Sequence, residues 1–407
     1  MSEPQRSLLF QPSFLRVWLS GLISWLGNGA LFIALPVQVY NQTNSTLITA
    51  LVVMAGALPG VMVGQFAGVV VDRSDYRRVL VLTNLALSLV TLGFLFTAQA
   101  AWWGFVLVSF VHSSVGQFLG PAEHALLPAL VSPERLGEAN GLNALNGNLA
   151  RLLGPVLGGV LLTELGFAAV IVFDALTYLL AAGLLLGVVS SVAVRPPGRP
   201  AFLLEWRSGL EVVRSSFTLR LICLVAAVVG FGEGFVSTLM APFVRSVLGG
   251  DGQTLGLIFS AQALGGLIGA WLVGRLADRW TALKLLAVGA LGSGVLLLAY
   301  FNYALLYPSI WPAVLITALA GLPFAIFGTA QTLGLQRASP PELRGRVFSL
   351  CFGLVGLSQL VGMGVSGVLG ERIGVLVINV DALTYLIAAG LAYSKWGRLG
   401  RGGRPAR

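Results

Sequence analysis

Twelve apolar runs, each about twenty residues or longer, fill this chain, and only short polar segments separate them. A run of that length is what an α-helix needs to cross the ~30 Å hydrocarbon core of a bilayer. The runs lie near 14–40, 47–71, 79–100, 103–127, 139–163 and 167–190, and then near 219–245, 252–274, 282–302, 309–336, 345–370 and 374–396. None shows the polar–apolar alternation over about ten residues that marks a barrel strand. Only 10% of the 407 residues are charged, against roughly 25% in a soluble domain. That is too little charge to solvate a globule, so lipid is the expected solvent and an expected partner.

Lys and Arg favour the cytoplasmic side of a span. With the N-terminus placed inside, all but three of the 25 basic residues fall in inner segments; Arg245 and Arg372 lie outside and Arg151 lies within a span. Both termini are therefore expected in the cytoplasm. Trp102, Trp103, Tyr300, Phe301, Tyr303 and Tyr307 fall in outer connections, where interfacial aromatics belong. The net charge of +9 sits in short clusters between spans and not in a basic arm, so no nucleic-acid partner is expected. Cys223 and Cys351 lie in apolar stretches and read as buried thiols. The first residues lack a cleavable-signal pattern, so the first span is expected to be retained. "NQTNST" reads as a polar outer turn. The preference for Arg over Lys points to a GC-rich bacterial genome and hence to the inner membrane.

The pentad "DALTY" occurs at Asp174–Tyr178 and again at Asp381–Tyr385, an offset of 207. "GVVVDRSDYRR" from Gly68 and "GRLADRWTALK" from Gly274 differ by 206, and "GPVLGGVL" from Gly154 and "GMGVSGVL" from Gly362 by 208. The chain is thus a duplication of six spans. Six is even, so the two halves run parallel, and pseudosymmetric transporter halves meet at a central cavity near the midplane. The predicted fold is an all-α integral membrane protein with twelve transmembrane helices in two parallel six-helix pseudo-repeats around a central cavity. The halves are residues 1–190 and 219–407. A linker, 191–218, opens with "RPPGRP" and continues as an amphipathic helix expected on the inner leaflet. The duplicated acids are placed near the outer start of the sixth and twelfth spans, where a helix dipole favours them. Their duplication in both halves favours a structural role over a proton site.

These motifs resemble the major facilitator superfamily. Its signature between spans 2 and 3 is matched by Gly68, Asp72, Arg73, Arg77 and Arg78, and repeated by Gly274, Asp278, Arg279 and Lys284. Asp75 replaces the usual glycine, a variant that resembles the macrolide-efflux and enterobactin-exporter branch. "FLRVWLSGLISWLGNG", "GPAEHALLPALVSPERLGEANGL" and "FDALTYL" are similar to that branch as well. The resemblance implies a cytoplasmic gate in which Asp72 caps the start of span 11, near Arg344 and Gly345, and Asp278 faces the start of span 5. The basic residues would then pair with Glu134, Glu138 or Glu342. It also implies export, through an antiporter-type motif on span 5 made of Gly141, Gly154, Pro155, Gly158 and Gly159, with Ala150 where another glycine is usual.

Ionisable residues within spans usually face a cavity. Glu233 on span 7 lies roughly 20 Å from the inner edge, past the middle, and suits a proton carrier. Its counterpart on span 1 is Asn28, where branch members often have an acid. Arg151 on span 5 keeps its charge and needs an acid, carbonyls or an anionic substrate. His112 on span 4 can titrate, and Asp174 completes the candidate proton-coupling and substrate set. With only two histidines there is no metal or nucleophile constellation, so neither an enzyme nor a cofactor is expected. The expected function is proton-driven export of small amphipathic compounds, such as drugs or siderophore-like molecules, by a monomer. A non-transporting sensor and an uptake or facilitative carrier remain as alternatives.

Overall fold

The computed structural model describes residues 7–97, 102–188, 202–276, 280–307 and 309–402, and no strand occurs among them. Eleven of the described helices are long and apolar enough to span a membrane, and a bent pair forms a twelfth span. In the first repeat these are α1 (Pro12–Thr43), α2 (Thr46–Met62, continued by Gly64–Asp72), α3 (Tyr76–Leu92, continued by Phe94–Thr97), α4 (Trp103–Gly116, continued by Leu119–Leu130), α5 (Leu136–Leu165) and α6 (Phe167–Leu186). In the second they are α7 (Phe217–Ser246), α8 (Gly252–Leu276), α9 (Ala282–Asn302), α10 (Ile310–Ala338), α11 (Arg344–Ile373) and α12 (Asn379–Gly402).

Expected as one run, α2 instead bends by 52° near Val63. Pro59 lacks the amide that would bond one turn back, and Gly60 and Gly64 flank the break. The linker helix, Phe202–Ser215, packs on the start of α11, with Gly209 against Arg346 and Val213 buried. Protein therefore covers part of the surface expected to lie on lipid. The linker's opening residues, 191–201, lie outside the described residues.

The chain resolves into two compact units. Unit 1 holds Met1–Thr43, Ala55–Pro200 and Asp251–Gly256; unit 2 holds Asn44–Met54, Ala201–Gly250 and Leu257–Arg407. In unit 1, α1 packs on α5 and α6, and α3 on α4 and α6. In unit 2 the equivalents recur: α7 packs on α11 and α12, and α9 on α10 and α12. Lipid supplies no hydrophobic force between helices, so small residues that allow close van der Waals packing must hold them. A Cβ on Gly154 would sit 3.0 Å from the Gly29 Cα, and one on Gly158 2.4 Å from the Ala30 carbonyl oxygen. At the α7–α11 crossing, a Cβ on Gly234 would sit 2.4 Å from the Gln359 carbonyl oxygen, and one on Gly362 2.0 Å from that of Phe231. At Gly158, Gly234 and Gly362 a side chain would have to push backbone away, and at Gly154 the neighbouring helix would have to give slightly. Gly166 and Gly374 turn the equivalent α5–α6 and α11–α12 corners at φ 82° and 92°.

Candidate transport site

The two glycine crossings place the polar candidates. Gly29 and Gly234 are equivalent, 205 residues apart, and Gly154 and Gly362 are equivalent, 208 apart. Asn28 directly precedes the first glycine and Glu233 the second. Arg151 lies three residues before Gly154, and Gln359 three before Gly362. The duplicated architecture therefore presents an Asn and an Arg in unit 1, and a Glu and a Gln in unit 2.

Glu233 sits just past the midpoint of the 30-residue α7. Tyr385 on α12, the tyrosine of the second DALTY, donates its hydroxyl to Glu233 Oε1 at 3.1 Å. The Tyr385 ring is itself fixed edge-on against Phe324 and Phe327 of α10, with centroids 5.2 and 5.5 Å away. One turn further along α7, the Ser237 hydroxyl donates to the Glu233 carbonyl at 2.9 Å, and Gln359 Nε2 reaches Ser237 Oγ at 3.3 Å. A carboxyl group, a phenol, a hydroxyl and an amide thus converge from α7, α11 and α12 in the middle of the span.

In unit 1 the equivalent positions are open. Asn28 and Arg151 are exposed, and so is Asn148, one turn from Arg151 on α5. Neither Asn28 nor Arg151 bonds through its side chain to a described residue. Arg151 is thus a membrane-depth cation with no acid beside it among the described residues. Polar groups without local partners at this depth belong where water or a ligand can reach them.

The DALTY acids are packed away from such a face. Asp174 is 0% and Asp381 1% exposed. A Cβ on Gly27 of α1 would fall 2.4 Å from Asp174 Oδ1 and 2.2 Å from Thr177 Oγ1; one on Gly232 of α7 would fall 2.7 Å from Asp381 Oδ1 and 2.1 Å from Thr384 Oγ1. Each pentad therefore keys its helix onto a glycine of the neighbouring helix. Asp381 lies in the first turn of α12, but Asp174 is two turns inside α6, which begins at Phe167. The helix dipole acts over the first turn, so that reason for the acid holds only in the second repeat. His112 lies with its ring 6.2 Å from Phe94 and 5.9 Å from Tyr178, and its Nε2 is buried without a hydrogen bond. It belongs to the α3–α4–α6 aromatic packing and not to the Asn28–Arg151 face. Further along α4, Glu123 points Oε1 at Gly21 of α1, beside the Asn146 amide.

The gate signature is partly explained by unit 1 alone. Asp75, the departure from the usual glycine, is the N-cap of α3 and accepts from the Arg78 amide at 3.0 Å. Thr281 does the same for Lys284 at the start of α9. Arg77 donates to the Leu185 carbonyl at 3.0 Å and to that of Leu186, and Arg16 donates to that of Gly187. Two cations thus cover the C-terminal carbonyls of α6, where the helix dipole favours them. Arg78 pairs weakly with Asp75 at 3.7 Å on an exposed surface. Glu138, expected to meet the loop arginines, instead bonds Arg135 at 2.8 Å and the Leu8 amide at 3.1 Å. Asp72 and Arg73 are exposed, and Asp72 makes no side-chain bond to a described residue of its own unit. Gly68, Gly141 and Gly274 have open space around them, unlike Gly154, Gly158 and Gly159. Pro155 lies within the unbroken α5. Asp278 and Arg279 lie outside the described residues.

Residues 6–398 match the family described as transmembrane secretion effector. The chain belongs to that family. It is 24% identical over 374 residues to macrolide efflux protein A of Streptococcus pyogenes, covering 89% of this chain and 90% of the relative. It is 28% identical over 399 residues to the enterobactin exporter EntS of Escherichia coli O81 (strain ED1a), covering 92% of each. By fold it matches a bacterial homologue of the iron transporter ferroportin, solved in an inward-facing state, with TM-score 0.79 at 16% identity over 96% of this chain and 99% of that one. The transmembrane secretion effector assignment makes the chain a multi-pass membrane protein of the major facilitator superfamily, whose bacterial relatives are efflux transporters and not enzymes.

Proposed function

We propose that the chain is a secondary exporter that uses the proton gradient to expel small amphipathic compounds by alternating access. It works as a monomer in a bacterial inner membrane, with both termini in the cytoplasm and no cofactor beyond the gradient. One observation carries this reading: at equivalent positions beside the two glycine crossings, unit 2 holds Glu233 bonded to Tyr385, whereas unit 1 holds Asn28. An acid held at mid-membrane beside a phenol donor can take up and release a proton, while an amide cannot. A single, non-duplicated acid also has to offset its own desolvation locally, which is a requirement of function and not of shared architecture. The efflux relatives support the outward direction. The basic inner segments support the orientation. The gate residues Asp72, Arg73, Arg77 and Arg78, with their second-repeat counterparts, would bias the inward-closed state.

The test is uptake into everted vesicles, with and without a pH gradient, across a panel of drugs and siderophore-like compounds. Gradient-dependent uptake of at least one class is expected. Equal uptake with the gradient collapsed removes proton coupling, and no uptake of any class removes the export reading.

Arg151 refines the substrate. A permanent cation without an acid beside it favours a ligand carrying a carboxylate, phenolate or similar anionic group. Arg151→Ala is expected to weaken anionic compounds roughly tenfold or more, the scale of losing a charged hydrogen bond, while neutral ones change by less than about twofold. Competition binding to the purified protein measures both. Equal losses for the two classes would instead assign Arg151 to structure.

A further inference from the structure

The acid Glu371, the third-last residue of α11, accepts the start of α2. Its Oε2 lies 2.9 Å from the Thr46 amide, 3.4 Å from the Leu47 amide, and 3.1 Å from each of the Ser45 and Thr46 hydroxyls. Ser45 Oγ in turn accepts from the Ile48 amide at 3.2 Å, so the carboxylate is linked to a third amide of the first turn. Thr46 Oγ1 also lies 3.0 Å from the Gly367 carbonyl oxygen. The helices touch along this edge: a Cβ on Gly367 would sit 2.5 Å from the Ala50 Cβ, and one on Gly370 2.9 Å from Thr46 Oγ1. These bonds keep Asn44–Met54, a piece of the first repeat, inside unit 2. The turn before it is minimal, with Asn44 at φ 49°.

The second repeat carries a weaker counterpart. Thr163 on α5 stands 208 residues before Glu371, the offset of the crossing glycines. Its Oγ1 accepts from the Gln253 amide at 3.2 Å, at the start of α8, which keeps Asp251–Gly256 inside unit 1. That helix start already has its own cap, because Asp251 Oδ1 accepts from the Thr254 amide at 2.9 Å. Thus the start of α8, though packed closely on α5, receives one neutral hydroxyl from it, while the start of α2 receives an anion on its positive end. Charge-assisted bonds are roughly twice as strong as neutral ones, and the helix dipole adds to them.

We propose that Glu371 is a positioning residue, the releasable clasp that seats the first half of α2 against α11 on the outer side during the transport cycle. The clasp rests on the reading of the chain as an alternating-access exporter, in which Asn44–Met54 must leave unit 2 once per turnover. It touches no substrate. Because the anion gathers several donors, release is all-or-none for the segment, and the α2 side rather than the α8 side controls it.

The test is hydrogen exchange of the full chain in lipid nanodiscs, followed by mass spectrometry, for the wild type, Glu371→Ala, Glu371→Gln and Thr163→Val. In the wild type, residues 47–54 are expected to exchange together as one cooperative unit. Glu371→Ala should raise that rate about tenfold, the scale of losing a charge-assisted acceptor. Glu371→Gln, which keeps an acceptor but not the charge, should raise it less, and Thr163→Val should leave it within about twofold. The segment 252–256 reports whether each Glu371 variant is folded, and the glutamine variant carries the test if the alanine variant is not; for Thr163→Val, where 252–256 itself loses a bond, the α9 core at 285–297 is the folding control. Unchanged exchange in both Glu371 variants overturns the clasp. So does faster exchange confined to Thr46 and Leu47 with wild-type protection at Ala50–Met54, which is the fraying of a static cap. None of these readouts needs a substrate, so a wild type that moved no compound would sink the export reading and leave this result standing.

Discussion

Glu233→Gln is expected to leave the chain folded and able to bind substrate, and to abolish the proton-driven accumulation proposed for it. The amide oxygen can still accept the Tyr385 hydroxyl that Glu233 accepts at 3.1 Å, and the side-chain volume is nearly unchanged. What disappears is the ability to exchange a proton at mid-membrane. Uptake into everted vesicles should fall to the level seen without a gradient, a loss on the order of a hundredfold for a general acid–base group. Substrate-driven counterflow should persist, since it needs no net proton movement. Tyr385→Phe keeps the ring between Phe324 and Phe327 but removes the donor, and should lower turnover without abolishing coupling. A glutamine variant that builds a normal gradient-dependent concentration difference assigns the proton elsewhere. Asp174 is then the next residue to test, and His112 follows.

Gly362→Val is expected to prevent stable folding. Any Cβ at 362 meets the Phe231 carbonyl oxygen at 2.0 Å, and that atom belongs to the backbone of α7. No rotamer change relieves the contact, so α7 and α11 must separate along their length. Overpacking of a tight site destabilises by roughly 1–3 kcal/mol, and more where only backbone can move. The separation would also break the Gln359–Ser237 and Ser358–Ala227 bonds between the same helices. Gly68→Ala and Gly141→Ala provide the contrast, because nothing lies within 4 Å of a Cβ at either position; each should gain a few tenths of a kcal/mol from helix propensity. Thermal unfolding of the purified variants measures the difference, and a Gly362→Val protein that melts with the wild type would mean that the two backbones do not touch at this crossing.

Much of this architecture was legible before any coordinates. Twenty-residue apolar runs have one solution in a bilayer, and the offsets of 206 to 208 located the repeat. The same offsets pair Arg151 with Gln359 and so mark a polar position on α11 that carries no charge to single it out in the sequence. Other features depended on tertiary neighbours that periodicity cannot report. The burial of His112 among Phe94 and Tyr178 depends on which faces of α3 and α6 it meets. Arg16 is marked in the sequence only as one of the inner cations and Arg77 as part of the gate signature, yet both donate to backbone carbonyls at the end of α6, which carry no side-chain signal. The bend in α2 was signalled by Pro59 and Gly64 but hidden by the continuity of the apolar run. The DALTY acids misled in an instructive way. Their duplication pointed to structure, but the reason is a glycine on the adjoining helix, Gly27 or Gly232, and not the helix dipole in both repeats.

The two crossings have a consequence for how such a protein can change over generations. The helices approach closest backbone to backbone at Gly29–Gly154 and Gly234–Gly362, so the adjoining positions, 28 and 151 in one repeat and 233 and 359 in the other, would contribute chemistry while the glycines carry most of the fastening, with the Glu233–Tyr385 and Gln359–Ser237 bonds adding to it in the second repeat. Mutation at those four sites can alter charge and ligand preference while the fold tolerates the experiment. Selection for a new cargo would therefore leave the glycines untouched and drift at their neighbours. A library randomised at positions 28, 151 and 359, with Glu233 kept, should yield a high proportion of folded, inserted proteins with divergent cargo ranges.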